Sequence, residues 1–174
     1  MSTKTVTLKI DENNITAQEG KSILEAAIEN GIDIPHICFL EGLTKTGACR
    51  LCLVEIKGQA KLAASCSTPV SDGMEIITNS EKLKEYRKNT VQLMLSERTH
   101  ICSVCVANKN CELQALADKL GVDHVAFERE WTRENVDLSH PFLVIDRNRC
   151  ILCTRCVRVC DEVEGVHALD LKLY

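Results

Sequence analysis

The stretch Gly47-Ala-Cys-Arg-Leu-Cys-Leu-Val-Glu-Ile56 (GACRLCLVEI) places a CxxC pair directly before an apolar run with strand character. One further cysteine lies on each side, Cys38 ten residues before Cys49 and Cys66 thirteen after Cys52 by intervening count. Four thiols in this layout on a strand-rich segment match the loop of a 2Fe-2S ferredoxin, where four thiolates converge on two irons. Gly47 and Ala48 carry little or no side chain, so backbone N–H groups can approach cluster sulfurs and moderate their negative charge. The first gap exceeds the four residues of plant-type ferredoxins and predicts a longer loop. A tetrahedral zinc site also takes four cysteines, often as two CxxC pairs, and this group has only one.

Working outward, TVTLKI and NITAQEG flank the turn-prone Asp11-Glu-Asn-Asn14 and predict an opening β-hairpin. Ser22 and Glu25 have capping-box spacing; Ala26, Ala27 and Ile28 continue a helix that Gly31 and Pro35 end. Cys49–Ile56, Lys61–Cys66 and Met74–Thr78 read as strands, giving a small sheet on one helix. From Ser80 the pattern is helical, with Leu83, Tyr86, Val91, Met94 and Leu95 on an apolar face. Lys82, Lys84, Arg87 and Lys88 fall mostly outside it, as a solvated face or, alternatively, a basic docking surface. A short helix, Glu112 to Leu120, closes at Gly121. Residues 122–141 read as a connector anchored by Val125, Phe127 and Trp131, and FLVIDRNR as a short strand with a polar turn.

Two more cysteine groups follow. His100-Ile-Cys-Ser-Val-Cys-Val-Ala-Asn-Lys-Asn-Cys111 offers three thiols, one short of a 4Fe-4S cubane, with His100 as the nearest competent fourth ligand. The alternative for His100 is a partner of the helix C-terminus. Cys150-Ile-Leu-Cys-Thr-Arg-Cys-Val-Arg-Val-Cys160 has the C-x2-C-x2-C-x3-C spacing of bacterial ferredoxins, whose first three thiols hold one 4Fe-4S cluster while the fourth serves a second. Arg155 and Arg158 lie among these ligands, either to favour the reduced cluster or to pair at the surface with Asp161 or Glu162.

Composition agrees with a metal-rich chain. The 174 residues include eleven cysteines, an odd number, and aromatics are only 3%, so the organic core is modest. The N-terminus alternates polar and apolar residues without a signal-peptide h-region, and no apolar run reaches membrane-spanning length, which predicts a cytoplasmic protein with no membrane insertion. In a reducing compartment such thiols serve as metal ligands rather than bridges. A net charge of -4 leaves no nucleic-acid footprint.

The motifs GACRLCLVEIKG, HICSVCVANKNCELQ, DLSHP and RCILCTRCVRVCDEVEG occur in the order in which they stand in a known family. Along essentially its whole length the chain resembles the iron-sulfur U subunits of the diaphorase module of bidirectional NAD(P)-linked nickel-iron hydrogenases. The same modules begin the large peripheral subunit of complex I, some NAD-linked formate dehydrogenases and the iron-iron hydrogenases. The resemblance implies an α+β chain: a β-grasp 2Fe-2S ferredoxin-type domain over 1–79, a helical 4Fe-4S domain over 80–121, the connector 122–141, and a partial ferredoxin-type segment over 142–174. It implies as ligands Cys38, Cys49, Cys52 and Cys66 for a 2Fe-2S cluster, and His100, Cys102, Cys105 and Cys111 for a 4Fe-4S cluster. Cys150, Cys153, Cys156 and Cys160 belong to a further 4Fe-4S site, incomplete or split between two clusters. The implied partners are a flavin/NAD(P)H-binding diaphorase subunit and a hydrogenase small subunit or its equivalent.

The chain departs from the family pattern in two places. In complex I the ligand histidine lies four residues before the first cysteine of the second group, where this chain has Arg98. The family continues through a second cysteine run, whereas Leu169–Tyr174 contain none. The expectation is therefore a third site that is defective, rearranged or completed by another subunit. Complex I subunits commonly lack a fourth cysteine in this run, so Cys160 leans toward the hydrogenase group.

No nucleophile, paired carboxylates or phosphate loop accompanies the cysteines, and Gly20, Gly31 and Gly42 form no dinucleotide fingerprint, so NAD(H) binds elsewhere and the chain is not catalytic alone. Readings from other classes are a zinc-stapled interaction module and a thiol-disulfide enzyme, the latter lacking a CxxC at a helix start in a βαβ unit. Iron and sulfide quantitation on anaerobically purified protein tests the third site: about six irons per chain, two plus four, leaves it empty, and about ten fills it.

Overall fold

The computed structural model describes residues 4–129 and 133–171; Trp131 lies outside the described residues. The chain divides into two compact units, Met1–Glu85 with Thr154–Tyr174, and Tyr86–Cys153.

In the first unit, strands β1 (Thr5–Ile10) and β2 (Asn13–Gln18) form the expected hairpin. Val6, Leu8 and Ile10 on β1 and Ile15 and Ala17 on β2 are buried and alternate with outward residues, so one face of the pair enters the core. Ile10 opposite Asn13 leaves Asp11 and Glu12 as a two-residue turn, with Asp11 in the left-handed region at φ 52°. The Asp11 carboxylate accepts from the Thr78 amide at 2.8 Å and the Thr78 hydroxyl at 2.6 Å, tying this turn to the strand that ends beside it.

That strand is β5 (Glu75–Ile77); with β3 (Leu53–Ile56) and β4 (Ala63–Ala64) it completes a sheet of order β2-β1-β5-β3-β4. β1 and β5 run parallel, and the other neighbours antiparallel. The three strands beyond the hairpin are shorter than their apolar runs suggest. Cys49 to Cys52 belong to a loop rather than to β3, because Arg50 turns into the left-handed region at φ 57° and breaks the extended backbone.

Helix α1 (Ile23–Glu29) supplies Ile23, Leu24, Ala26 and Ala27 to the same core as the strands. Its capping box is complete: the Ser22 amide donates to Glu25 at 2.7 Å and the Glu25 amide donates to the Ser22 hydroxyl at 3.3 Å. Lys45, from the loop after Cys38, also donates to the Glu25 carboxylate. Burial pushes this carboxyl up, but the hydrogen bonds from Lys45 and Ser22 outweigh it and hold Glu25 below the ordinary glutamate value. Gly31, at φ 69°, ends the helix, and the next amide, Ile32, returns to the Ala27 carbonyl at 2.8 Å.

Helix α2 (Glu81–Ser96) forms as its periodicity predicts, and the boundary between the units falls inside it. Its buried row is Leu83, Arg87 and Val91, at i, i+4 and i+8, so Arg87 is buried and Tyr86, one position off the row, is half exposed. The expected assignment of these two residues is thus reversed.

The second unit adds α3 (Glu112–Lys119), with Leu113 and Leu116 inward. The buried Gln92 side chain accepts from the Ala126 amide at 2.8 Å and pins the connector, whereas Val125 and Phe127 remain 36% and 39% exposed and anchor little. The expected strand at 142–145 is reduced to one bridge between Asp137 and Ile145. In the first unit again, a short helix α4 (Arg155–Arg158) continues as a π turn over Val159–Val163.

Replacing Ser22 by alanine should remove the cap of α1 at a cost of about 1 kcal/mol. This is checked as a lower denaturant midpoint at unchanged slope.

Candidate metal centres

The four thiols of the first group, Cys38, Cys49, Cys52 and Cys66, are all buried in the first unit. They stand two and two, with Cys38 hydrogen-bonded to Cys49 and Cys52 to Cys66. The bond from Cys49 drives Cys38 down to about 5 and that from Cys66 drives Cys52 down to about 6, while Cys49 and Cys66 are pushed up by the same bonds and by burial. Backbone amides favour the charged forms, those of Ala48 and Cys49 at Cys38 and that of Leu51 at Cys49. The loop can aim them because Gly47 and Arg50 adopt positive φ, 61° and 57°, which turns successive N–H groups inward. At Gly47 backbone conformation is the constraint: an added Cβ would meet Ser67 Oγ at 3.5 Å, an ordinary contact.

This donor set fits a two-iron cluster. Each iron needs two thiolates beside the bridging sulfides, and the pairs supply two each inside a dry loop lined with amides. Among the described residues, no group of three or more His, Cys, Asp or Glu side chains is drawn together for a single metal ion.

In the second unit, Cys102 opens a single 3-10 turn, Cys102–Val104, and the Cys105 amide returns to the Cys102 carbonyl at 3.1 Å. Cys111 stands at the N-cap of α3. The connecting loop passes Lys109 at φ 66° and is held from α3 by Gln114, which accepts from the Lys109 amide and donates to Asn108, both at 2.9 Å. Sequence reasoning missed this role; the signal available was a polar residue three after Cys111, on the first turn of the helix. All three thiols are half-buried.

The His100 ring donates to the Met94 carbonyl, and its Nε2 is buried with no hydrogen-bond partner. Burial holds its pKa below the ordinary histidine value, against the Met94 bond and with help from the positive Arg149 and Arg98. A neutral imidazole, oriented through one nitrogen with the other orphaned, is the state that metal ligation requires.

The third run divides between the units. Cys150, exposed, and Cys153, half-buried, lie in the second; Cys156, exposed, and Cys160, buried, lie in the first. The Leu152 amide approaches the Cys150 sulfur at 3.4 Å, and the Ala168 amide approaches that of Cys160 at 3.2 Å. Arg155 and Arg158 turn out to serve the first group's loop. Arg158 is buried and donates to the carbonyls of Cys38 and Thr44, and Arg155 donates to that of Phe39 at 2.9 Å. A surface ion pair does not describe a buried Arg158, and Asp161 pairs with His167.

Fold and thiols together define a multi-module iron-sulfur protein, and comparison with known proteins agrees. Residues 3–81 match the family model for a 2Fe-2S iron-sulfur cluster binding domain. Residues 87–126 match the NADH-ubiquinone oxidoreductase-G iron-sulfur binding region, and 140–172 the ferredoxin-like domain of NADH-quinone oxidoreductase subunit 3. The NADPH-Fe(3+) oxidoreductase subunit alpha of Geobacter sulfurreducens is 40% identical over 164 residues, 94% of this chain and 19% of that one. The NADP-reducing hydrogenase subunit HndD of Solidesulfovibrio fructosivorans is 37% identical over 171 residues, 95% of this chain and 29% of its own. In a crystal structure of NAD+-reducing [NiFe]-hydrogenase in the H2-reduced state, a chain 37% identical superposes with a TM-score of 0.92, covering 97% of this chain and 71% of that one. The chain thus spans under a third of these two curated relatives but most of the solved one. The chain belongs to the iron-sulfur subunit family shared by NAD(P)-linked hydrogenases and NADH-quinone oxidoreductases.

Cys52→Ala should abolish the 2Fe-2S absorbance and destabilise the first unit, because metal binding to a long loop offsets the chain entropy lost in ordering it. A midpoint drop of more than about 4 °C is expected, and an unchanged melting profile would contradict it.

Proposed function

We propose that this chain is the electron-transfer subunit of the diaphorase module of a bidirectional NAD(P)-reducing hydrogenase, carrying electrons between a flavin/NAD(P)H-binding subunit and a hydrogenase subunit. The observation that carries this reading is the likeness, along 97% of the chain, to a chain of an NAD+-reducing [NiFe]-hydrogenase. A second reading, the corresponding subunit of an NADH-quinone oxidoreductase, draws on the names of the two family regions at 87–126 and 140–172. NAD-linked formate dehydrogenase is a further host for the same module. Among the described residues no helix is long and apolar enough to cross a membrane.

In this reading Cys38 with Cys49, and Cys52 with Cys66, hold the two irons of a 2Fe-2S cluster. His100, Cys102, Cys105 and Cys111 hold a 4Fe-4S cluster, and Cys150, Cys153, Cys156 and Cys160 are ligands for a further 4Fe-4S centre, incomplete or split between two clusters. When bound, the clusters supply one-electron redox chemistry. The chain's own part is positional and electrostatic. Burial excludes water from the first site, the amides of the Gly47–Leu51 turn offset thiolate charge, and the Met94 carbonyl fixes the His100 ring so that Nε2 faces its ligand role.

Two measurements test this. Anaerobically purified holo-protein should not oxidise NADH with an artificial acceptor until the flavin subunit is added; turnover by the chain alone would sink the proposal. His100→Ala should change or remove the signal of the second cluster while leaving that of the first intact; an unaltered spectrum would return His100 to a structural role.

A further inference from the structure

The short helix that follows Thr154 carries two sets of residues. Cys156 and Cys160 are the last thiols of the third run, and interleaved with them at i, i+3 and i+7 are Arg155, Arg158 and Glu162. All three of the latter reach one target within the first unit, the loop that begins at Cys38. Arg158 donates through Nη2 to the Cys38 carbonyl, through Nη1 to the Thr44 carbonyl at 2.7 Å, and through Nε to the Thr154 hydroxyl at 3.1 Å. Arg155 donates to the carbonyl of Phe39, the residue after Cys38, at 2.9 Å. Glu162 accepts from the Thr44 amide at 2.7 Å.

We propose that Arg158, assisted by Arg155 and Glu162, is a positioning residue for the first metal centre: it clamps the backbone at Cys38 and Thr44 from the C-terminal helix, fixing the Cys38 thiol and keeping a positive charge beside it. This rests on the assignment of Cys38 as a ligand of the 2Fe-2S cluster.

Three features support the clamp. The Cys38–Cys49 gap is the longest stretch of the first site without a regular element of its own, so its carbonyls need outside donors. Arg158 is a charged group only 7% exposed, and burial of a guanidinium is costly unless its fork is satisfied, as it is here by carbonyls 38 and 44. A second anchor acts on the same loop from the opposite direction in sequence, where Lys45 donates to Glu25 of α1. Arginine suits the position and lysine does not. A planar fork can reach two carbonyls and a hydroxyl at once, whereas an ammonium is a point donor on a flexible stem.

The charge has a direction of effect as well. Reduction adds an electron to an already anionic centre, so a nearby cation favours the reduced form. The Glu162 carboxylate beside Thr44 offsets part of this, which keeps the expected effect moderate.

The test uses the full chain, anaerobically reconstituted, as wild type, Arg158→Gln, Arg158→Lys and Arg155→Gln. Two quantities are measured on the 2Fe-2S signal, its redox midpoint by EPR titration and the rate of iron loss to a chelator. The signal of the 4Fe-4S cluster in the other unit serves as internal standard for folding and loading. Arg158→Gln should lose iron about tenfold faster, the order found when an outer partner of a ligand is removed. Its ratio of reduced to oxidised cluster at fixed potential should fall about threefold, as for loss of one partly screened charge. Arg158→Lys should restore the ratio but not the slow iron loss, which separates charge from clamp. Arg155→Gln, which leaves Arg158 in place, should speed iron loss and lower the ratio of reduced to oxidised cluster by less than Arg158→Gln does. Wild-type values of both quantities in Arg158→Gln overturn the proposal. Should Arg158→Gln fail to fold, wild-type iron loss in both Arg158→Lys and Arg155→Gln overturns it instead. Absence of a 2Fe-2S signal in the wild type would fault the ligand assignment rather than the clamp.

Discussion

Four buried thiols, three from the irregular stretch between Cys38 and Cys52 and the fourth, Cys66, from beyond β4, are the constraint on which the first unit turns. Two and two, each thiol shifts the acidity of its neighbour, and a second ionisation in either pair would place like charges in a buried site. A polypeptide can hold such a group only if the charge is met by dipoles or by metal. The left-handed turns at Gly47 and Arg50 supply the dipoles by directing amides inward. The sheet and α1 provide the floor, with Cys52 and Cys66 contributing to the same core as Ile10, Leu24 and Val54. Two of the thiols are thus core residues as well as the ligands proposed above, and they add to the interior of a chain with few aromatics.

The remainder of the unit can be understood as support for that loop. The Ser22–Glu25 capping box orients α1 and offers its carboxylate to Lys45. The Asp11–Thr78 contacts close the hairpin turn onto β5. The C-terminal helix grips Cys38, Phe39 and Thr44. The contacts of Lys45 with Glu25, of Thr78 with Asp11 and of the C-terminal helix with the loop join residues 20, 67 and more than a hundred positions apart. Anchoring from several directions is what a long irregular loop requires, since its carbonyls find no ladder of their own.

Much of this was legible in the residues and some was not, for identifiable reasons. The hairpin, the capping box, α2 and the 2Fe-2S character of the first domain follow from local rules: alternation, cap chemistry and cysteine spacing. Strand lengths did not follow, because the apolar residues of CRLCLVEI are equally at home in a buried loop, and only the backbone shows that Arg50 turns left-handed. The facing of α2 was misjudged at Tyr86 and Arg87 because composition favours an inward tyrosine and an outward arginine, while the helical row set by Leu83 and Val91 decides otherwise. The arginines among the last cysteines were hardest to place. Proximity in sequence assigned them to the third run, but helical periodicity turns residues 155, 158 and 162 away from 156 and 160, toward a loop that no local rule could identify.

The relatives bring out what kind of information such a chain can hold. Proteins named as an NADPH-Fe(3+) oxidoreductase subunit, an NADP-reducing hydrogenase subunit and an NADH-quinone oxidoreductase subunit each align with 94–95% of it at 35–40% identity. Their names differ in reaction, yet the aligned region is common to all of them. Over that region this chain matches a 2Fe-2S cluster binding domain at 3–81, an oxidoreductase-G iron-sulfur binding region at 87–126 and a ferredoxin-like domain at 140–172. Those names belong to proteins of which this chain spans under a third, and the shared part is best understood through how firmly it seats its clusters and at what potential. Clamps such as the one from Arg158 to Cys38 act on those two properties, which makes the outer contacts of the thiols, rather than the thiols themselves, the place where one such subunit can differ from another.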